Sequence, residues 1–324
     1  MKCINWFDYK NTAEFDQSVN SFDTLIVGNS ISLDDRSRYS QELFTKEKKS
    51  ICHFQVFYDE HTTQNLQITL DQEKISIKDT SIIKNKFLDQ KILIDMTCFD
   101  VHDLTYLLYT LCKERINFSI CYVEPKRYKK KEKSNSFTPS YSGEHSLSDE
   151  GNGINYLPPF LPSLVAKQSA YILSLGFESY RLAGFMQSDE IGIDSEKAFL
   201  LGVPAFDIGW EHKAINANYK HIKIENSNVH IVPADDPIQT FLKVDEIHRS
   251  LLSSNQQLNL LPLGTKPQSL GMIWFAIVKK LSFPNENIGL MYDFVKKIHN
   301  RTEEIRNIHL WNFDTAQSLE TYSQ

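Results

Sequence analysis

Short apolar segments alternate with helical segments along most of the chain, and this alternation limits the possible folds more than any other feature. Residues 92–96 are apolar almost throughout, residues 101–115 carry leucines on one helical face, and residues 116–123 are apolar again. Strands that are buried on both faces have such continuous apolar runs, and they occur in parallel sheets covered by helices. The pattern therefore predicts an α/β fold.

The same pattern begins a second time after an interruption. Residues 126–162 open with a basic run and continue with Ser, Gly, Asn and Pro, and strand-like segments return at residues 171–176 and 258–263. Polar segments of this kind are typical of linkers. We predict two tandem Rossmann-like units with mostly parallel sheets, at residues 1–125 and 166–324, joined by a flexible basic and polar linker at residues 126–165. Residues 305–313 are expected to form a final edge strand of the second unit.

The composition is that of a globular protein without membrane spans. Of its 324 residues, 41% are hydrophobic and 23% are charged, and the net charge is -6. The negative charge argues against general nucleic-acid binding, and no run of 18 apolar residues is present. Because the N-terminus also lacks the apolar core of a signal peptide, we expect a cytoplasmic protein with no membrane partner. Its five cysteines are then expected to be buried, reduced thiols.

Ligands of open α/β sheets bind beyond the carboxyl ends of the strands. Four loops of this chain leave predicted strands with small and polar residues. The candidate ligand-binding residues in these loops, in chain order, are Asn29, Ser30, Arg36, Asp95, Thr97, Glu178, Gly264, Thr265 and Lys266.

The turn formed by Gly264, Thr265 and Lys266 is the strongest of these candidates, because it joins a buried strand to a long apolar helix. Backbone N–H groups, a hydroxyl and an ammonium at the positive end of a helix suit a phosphate. The positive charge of a lysine is unfavourable at this positive helix end unless an anion offsets the two positive charges. The Walker spacing is absent. In this interpretation, Arg36 and the residues at 29–30 complete the site from the first unit.

Each candidate also has a structural alternative. Asp34 and Asp35 suit the cap of the helix predicted at residues 36–46, and Thr265 suits the cap of the helix that follows it. Asp95 is able to accept hydrogen bonds from the amides of its own turn. Gly28 and Gly176 would serve only to permit tight turns.

Catalytic and metal-binding motifs are absent from the sequence. It contains no G-x-S-x-G elbow, no H-E-x-x-H and no paired metal-ligand spacing, so we expect no metal site, name no cofactor and favour a protein without catalytic activity. One alternative is an enzyme that processes nucleotides or phosphodiesters, with Asp95 or Glu178 as base or metal ligand. Another is a purely structural protein-interaction subunit. The basic run at residues 126–133 is either a solvated face or a nucleic-acid contact.

Three short motifs resemble those of a known family. They are the glycine at Gly28 followed by residues 34–37, the Ile-Asp-x-Thr strand end around Asp95, and the Pro-Leu-Gly-Thr-Lys turn that ends at Lys266. The chain resembles tandem Rossmann-like proteins of prokaryotic defence loci, and the Gly-Thr-Lys turn looks like that of CRISPR-associated Rossmann-fold (CARF) sensor domains. The resemblance implies a nucleotide or cyclic oligonucleotide ligand, and a protein partner in an antiviral defence complex. Unlike those sensors, the chain shows no nuclease domain.

Overall fold

The computed structural model of the chain describes residues 4–9, 12–59, 62–75, 80–129, 147–151, 153–162, 169–187, 195–223, 227–251 and 257–323. The chain divides into two compact units, one made of Met1–Lys129 with His299–Gln324 and the other of Lys130–Ile298. Each unit has a main β-sheet with helices packed against it. The prediction of two Rossmann-like α/β units is therefore confirmed.

The elements are numbered along the chain. The strands are β1 (Ile4–Tyr9), β2 (Thr24–Val27), β3 (Ser50–Asp59), β4 (Thr62–Leu70), β5 (Glu73–Ile75), β6 (Ile92–Asp95), β7 (Phe118–Tyr128), β8 (Ser148–Gly151), β9 (Asn155–Tyr156), β10 (Ser169–Ser174), β11 (Glu196–Gly202), β12 (Ser227–Val232), β13 (Gln257–Pro262), β14 (Ile288–Tyr292), β15 (Val295–Lys297) and β16 (Thr302–Phe313). The α-helices are α1 (Thr12–Val19), α2 (Asp35–Lys46), α3 (Ser81–Phe87), α4 (Val101–Lys113), α5 (Ser179–Met186), α6 (Trp210–Ile222), α7 (Pro237–Leu251), α8 (Lys266–Ser282) and α9 (Thr315–Ser323). Short 3-10 helices follow β2 at Asn29–Ser32 and β6 at Met96–Cys98.

The sheet of the first unit has the order β1-β16-β7-β6-β2-β3-β4-β5. Its four central strands, from β7 to β3, are parallel, and the strands outside them pair antiparallel. Every residue of β2 and β6 is buried, as expected for central strands covered on both faces. This unit is a parallel Rossmann-like centre with antiparallel extensions at both edges.

The C-terminal segment belongs to the first unit, so the predicted boundary of 166–324 for the second unit is wrong. β16 lies between β1 and β7 and is antiparallel to both, which also makes it an interior strand and not an edge strand. Its residues Ile308–Trp311 are buried, and the Phe313 ring stacks on Phe118 with centroids 5.2 Å apart. The prediction failed because β16 pairs with segments far away in the sequence, and an apolar pattern does not specify which strands pair.

The sheet of the second unit has the order β12-β11-β10-β13-β14-β9. All neighbouring strands are parallel except β9, which runs antiparallel to β14. β13 and β14 are buried throughout, and α8 is buried from Pro267 to Lys279. A small antiparallel pair, β8 with β15, accompanies the main sheet.

The predicted linker at residues 126–165 is structured in the parts that are described. β7 continues to Tyr128, which pairs with Thr302 of β16. At the other end of the segment, Leu157 and Phe160 are completely buried. Buried apolar side chains contribute to a core, so these two ends are not linker. Residues 130–146, 152 and 163–165 lie outside the described residues.

The basic run at residues 126–133 is only partly described. Lys126 Nζ lies 2.6 Å from Glu304 Oε2, and Lys129 Nζ lies 3.6 Å from Glu303 Oε1. These carboxylates offset two of the charges that would attract nucleic acid. Residues 130–133 lie outside the described residues, so a nucleic-acid contact through the run stays a prediction.

Four cysteines follow the expectation of buried thiols: Cys52, Cys98, Cys112 and Cys121 are buried and free of disulfides, whereas Cys3 lies outside the described residues. Burial raises the pKa of the Cys112 thiol well above its usual value, which makes a reactive thiolate unfavourable. Among the helices described, none combines the length and the apolar character needed to cross a bilayer.

Candidate functional site

The strand order of the second unit reverses direction between β10 and β13. From β10 the chain passes through α5 and α6 to β11 and β12 on one side, and α7 then returns it to β13 on the other side of β10. Such a reversal leaves a crevice at the carboxyl ends of the two strands, where ligands bind in open α/β sheets. The loops that leave β10 and β13 contain four of the predicted residues, Glu178, Gly264, Thr265 and Lys266.

Two glycines allow these loops to cross in direct contact. A Cβ at Gly176 would overlap the carbonyl oxygen of Leu263, and a Cβ at Gly264 would lie 2.9 Å from the Ser174 Cβ. The Gly264 N–H also donates to Ser174 Oγ at 2.8 Å. Only glycine tolerates so close an approach. The amide of Gly264 therefore binds the protein itself, and the inner part of the crevice is filled by packing.

Thr265 forms the N-terminal cap of α8, as the structural alternative predicted. Its hydroxyl accepts the Gln268 N–H at 3.4 Å, and the Gln268 side chain accepts the Thr265 N–H at 3.1 Å, which completes a capping box. The same hydroxyl donates to the Ala234 carbonyl in the loop after β12. A ligand would have to displace these bonds to reach Thr265, so the role of this hydroxyl is to fix the turn.

Lys266 is the first residue of α8 and is partly buried. The next residue, Pro267, has no N–H, and the Ser269 N–H donates to the Thr265 carbonyl at 2.9 Å. The turn therefore lacks the row of open amides that a phosphate-binding loop usually presents. What it offers an anion is the Lys266 ammonium at the positive end of a 17-residue helix.

Glu178 is 8% exposed and anchors β8. Its Oε1 accepts the N–H groups of Leu147 and Ser148, both at 2.8 Å, and the Ser148 hydroxyl donates to the same carboxylate. Burial and the negative charge of Glu178 raise the pKa of Tyr180 to about 12. The Glu178 carboxylate already accepts several hydrogen bonds. If it acted as a base or metal ligand, the bonds that hold β8 would have to break.

An arginine–carboxylate pair that we did not predict lies next to Glu178. Arg181 Nε and NH2 donate to the two oxygens of Asp293 at 2.5 and 2.6 Å, which ties α5 to the loop after β14. The guanidinium carbon also lies 5.6 Å from the centroid of the Tyr292 ring. Bidentate pairs of this kind are strong and geometrically specific. No sequence signal joins two residues that are 112 positions apart.

Arg36, in the first unit, is 4% exposed and enclosed by protein groups. Its Nε lies 3.3 Å from Asp34 Oδ2 and 3.1 Å from Thr302 Oγ1, and NH1 donates to the Val123 carbonyl at 2.7 Å. These contacts join α2 to β7 and β16. They assign Arg36 a structural role, and its predicted contact with a phosphate has no support in this geometry.

Asp34 forms the N-terminal cap of α2, as predicted. Its Oδ1 accepts the Ser37 N–H at 3.0 Å and the Ser37 hydroxyl at 2.7 Å. Burial alone would raise the pKa of Asp34, but Arg36, Thr302 and Ser37 together outweigh it and lower the pKa to about 2. The buried carboxylate is therefore ionised at neutral pH.

Asp95 and Thr97 are both buried at the carboxyl end of β6. Asp95 Oδ1 accepts the Thr97 N–H at 2.9 Å, and Thr97 Oγ1 accepts the Val123 N–H at 2.9 Å. The structural alternative for Asp95 is thus what the geometry shows. Both side chains shape the turn after β6, and neither is accessible to a ligand without movement.

Asn29 borders an open cleft of about 600 Å3 in the first unit, whereas its neighbour Ser30 is buried. The cleft is bordered by residues of β3 and β4 and of the loops after β2 and β4. Its lining residues are Gly28, Asn29, His53, Phe54, Gln55, Phe57, Thr69, Asp71 and Gln72. Amides, a histidine and an exposed aromatic ring suit a neutral polar ring better than a phosphate.

The sequence analysis also missed a group of metal-type ligands at the start of α4. One atom from each of Asp100, His102 and Asp103 lies within 4.8 Å of the others. Asp103 is completely buried, and its Oδ1 accepts the Val56 N–H at 3.0 Å. The D-x-H-D sequence motif is the signal that could have identified this group. The positive end of α4 disfavours a cation here, so we assign no metal to it.

Comparison with family models finds no match to this chain, and comparison with curated proteins likewise finds none. The function must therefore be argued from the geometry of the described residues.

Proposed function

We propose that this protein binds a nucleotide or another phosphate-bearing ligand at the carboxyl edge of its second sheet, and that it acts as a sensor or scaffold. One observation carries the proposal. The strand order reverses between β10 and β13, and Lys266 begins the helix that leaves this point. Position and charge therefore coincide where open α/β sheets bind ligands.

The chemistry of the turn favours an anion. The Lys266 ammonium adds its positive charge to the positive end of α8, and both attract an anion. A bound phosphate would offset both charges. The capping box and the bond from Thr265 to Ala234 hold the turn in one conformation, so the ligand would meet a pre-organised backbone.

The cleft of the first unit is a second candidate position for a ligand of the same class. Asp71 on its wall is paired with Lys86, whose Nζ lies 2.6 Å from Asp71 Oδ2. The pair cancels the local charge, and the amides of Asn29 and Gln55 have the donors and acceptors that recognise base edges. This cleft would take a nucleobase and not a phosphate.

The place of the protein in an antiviral defence assembly rests on the resemblance of its three short motifs alone. The catalytic alternative is less favoured, because the Asp95 and Glu178 carboxylates both accept backbone N–H groups. A structural subunit remains the alternative if no ligand binds. Partner proteins that co-purify with the chain, identified by mass spectrometry, would test the defence proposal directly.

Calorimetry against nucleotides and cyclic oligonucleotides tests the ligand proposal. Lys266→Ala should weaken binding tenfold or more, because a charged hydrogen bond to phosphate contributes roughly 1.5–3 kcal/mol. Thermal melting of the same variant checks that the loss of binding does not come from loss of the fold.

Lys280→Ala is the matched control, because Lys280 is partly exposed near the other end of α8. Lys279 is unsuitable: it is 7% exposed, and its Nζ lies 3.5 Å from Asp245 Oδ1. Equal binding by Lys266→Ala and the wild type would exclude the phosphate site. Binding that is lost in Asn29→Ala and kept in Lys266→Ala would move the site to the cleft of the first unit.

A further inference from the structure

β12 is an edge strand without the usual protection of an edge. Within the described ranges, no strand pairs with its outer side. The strand contains no Lys, Arg, Asp or Glu, and Val229 and Ile231 are 44% and 61% exposed. Natural edge strands are usually blunted by charges, prolines or bulges. An apolar, uncharged edge of this kind is a template for another strand.

The backbone direction of β12 shows which residues face outward. The Val232 carbonyl accepts the Val203 N–H at 2.8 Å, so it points toward the β11 side. Backbone groups of successive residues in a strand point to opposite sides. The N–H and C=O groups of Val229 and Ile231 are therefore directed to the outer edge.

We propose that a second copy of this chain pairs antiparallel with β12 around a two-fold axis at His230, so that Val229 of each copy lies opposite Ile231 of the other. Outward-facing residues form the hydrogen-bonded pairs of an antiparallel ladder. The two pairs exchange their N–H···O=C bonds, and the two sheets become one. The contact is isologous, as in most homodimers.

The register follows from the neighbours of these two residues. An axis at Ile231 would place Val229 opposite Pro233, which has no N–H to donate. An axis at Val229 would place Ile231 opposite Ser227, an apolar side chain against a polar one. Only the axis at His230 matches both apolar side chains with each other.

The two apolar side chains lie on one face of the sheet. Val229 is in register with Phe199, and Ile231 with Leu201. Phe199 and Leu201 belong to the core beneath α6, so pairing would continue that apolar face across the axis. Exposed apolar surface would then be covered on both copies.

The opposite face offers complementary charges near the axis. Lys243 and Glu246 of α7 both act electrostatically on His230, and Lys243 Nζ lies 2.5 Å from Glu246 Oε2. A two-fold axis at His230 places both opposite charges of each copy on the same face of the joined sheet. Burial and then Lys243 lower the pKa of His230, which favours its neutral form.

Sedimentation of the full chain tests the dimer. The wild type should sediment as a dimer. Ile231→Glu should raise the dimer dissociation constant roughly tenfold or more, because dimerisation would then bury one carboxylate from each copy in the interface. Leu88→Glu, which changes a 57% exposed leucine of the first unit, should leave the dimer unchanged. A wild-type chain that sediments as a monomer would overturn the proposal.

Oxidative cross-linking tests the register without depending on Ile231→Glu. His230→Cys should form a disulfide-linked dimer, because residues directly opposite each other have Cα atoms about 4.5 Å apart. Val229→Cys alone should not cross-link, but a mixture of Val229→Cys and Ile231→Cys chains should. A dimer in which His230→Cys fails to cross-link would contradict this interface, whatever holds the copies together.

Discussion

At the residue scale, the charged groups that looked most functional are largely bound to the protein itself. Arg36 is held by Asp34, Thr302 and the Val123 carbonyl, and Glu178 by the amides of Leu147 and Ser148. Buried charges persist when other groups pair with them. Lys266 is more accessible than Arg36 and Glu178, because it is only partly buried at the start of α8.

The acid stability of the first unit should depend on Asp34. Its pKa of about 2 in the folded chain is below the usual 3.8, so Asp34 contributes stability above pH 4 that is lost as the pH falls toward 2. The contribution is about 2 kcal/mol. Urea unfolding from pH 2 to 5 should therefore show a gap between the wild type and Asp34→Asn that narrows at low pH.

Asp35→Asn is the matched control for this pH dependence. The Asp35 side chain is 95% exposed and pairs with Arg38, which is also exposed. Exposed pairs contribute little, so the gap to wild type should be small and nearly constant with pH. A gap for Asp34→Asn that stays equally wide at pH 2 and pH 5 would contradict the assignment.

At the scale of elements, the start of α8 couples two strands. Thr265 caps the helix through Gln268 and also donates to the Ala234 carbonyl, in the loop that follows β12. Thr265→Ala should lower the free energy of unfolding by about 1–2 kcal/mol. This is near the upper end of the range for a lost helix cap, because the hydrogen bond to the carbonyl is lost as well. Thr265→Ser keeps the hydroxyl and should cost much less. Denaturant unfolding of the two variants measures the difference, and an equal loss in both would show that the methyl group matters and the cap does not.

At the scale of the whole molecule, one unit is assembled from both ends of the chain. β16 supplies an interior strand to the first sheet, and its Thr302 hydroxyl donates to Asp34. A chain that ends at Ile298 should therefore lose the protected core of the first unit, whereas the second unit, Lys130–Ile298, keeps all its strands. Limited proteolysis with mass spectrometry should show rapid cleavage within residues 12–59 and 80–129, and protection of residues 195–223, 227–251 and 257–298. Protection of both regions would show that the first unit is stable without β16.

Local chemistry made much of this protein predictable from its sequence. Continuous apolar runs identified the buried strands, as at Ile92–Asp95, and the capping residues Asp34 and Thr265 marked the helices that follow them. Each of these signals depends on neighbours within about four positions. The α/β class and the loops at the strand ends followed from such signals.

Contacts between distant residues were decided only by the tertiary structure. The apolar pattern of β16 predicts a strand but not its place between β1 and β7, since many strands have the same pattern. In the same way, the pairing of Arg181 with Asp293 and the exposure of Val229 and Ile231 depend on which segments lie side by side. The sequence indicated the buried strands and the caps at Asp34 and Thr265, because those interactions are local. The fold alone decided which charges are buried and which edge is open, because burial is a property of packing between elements.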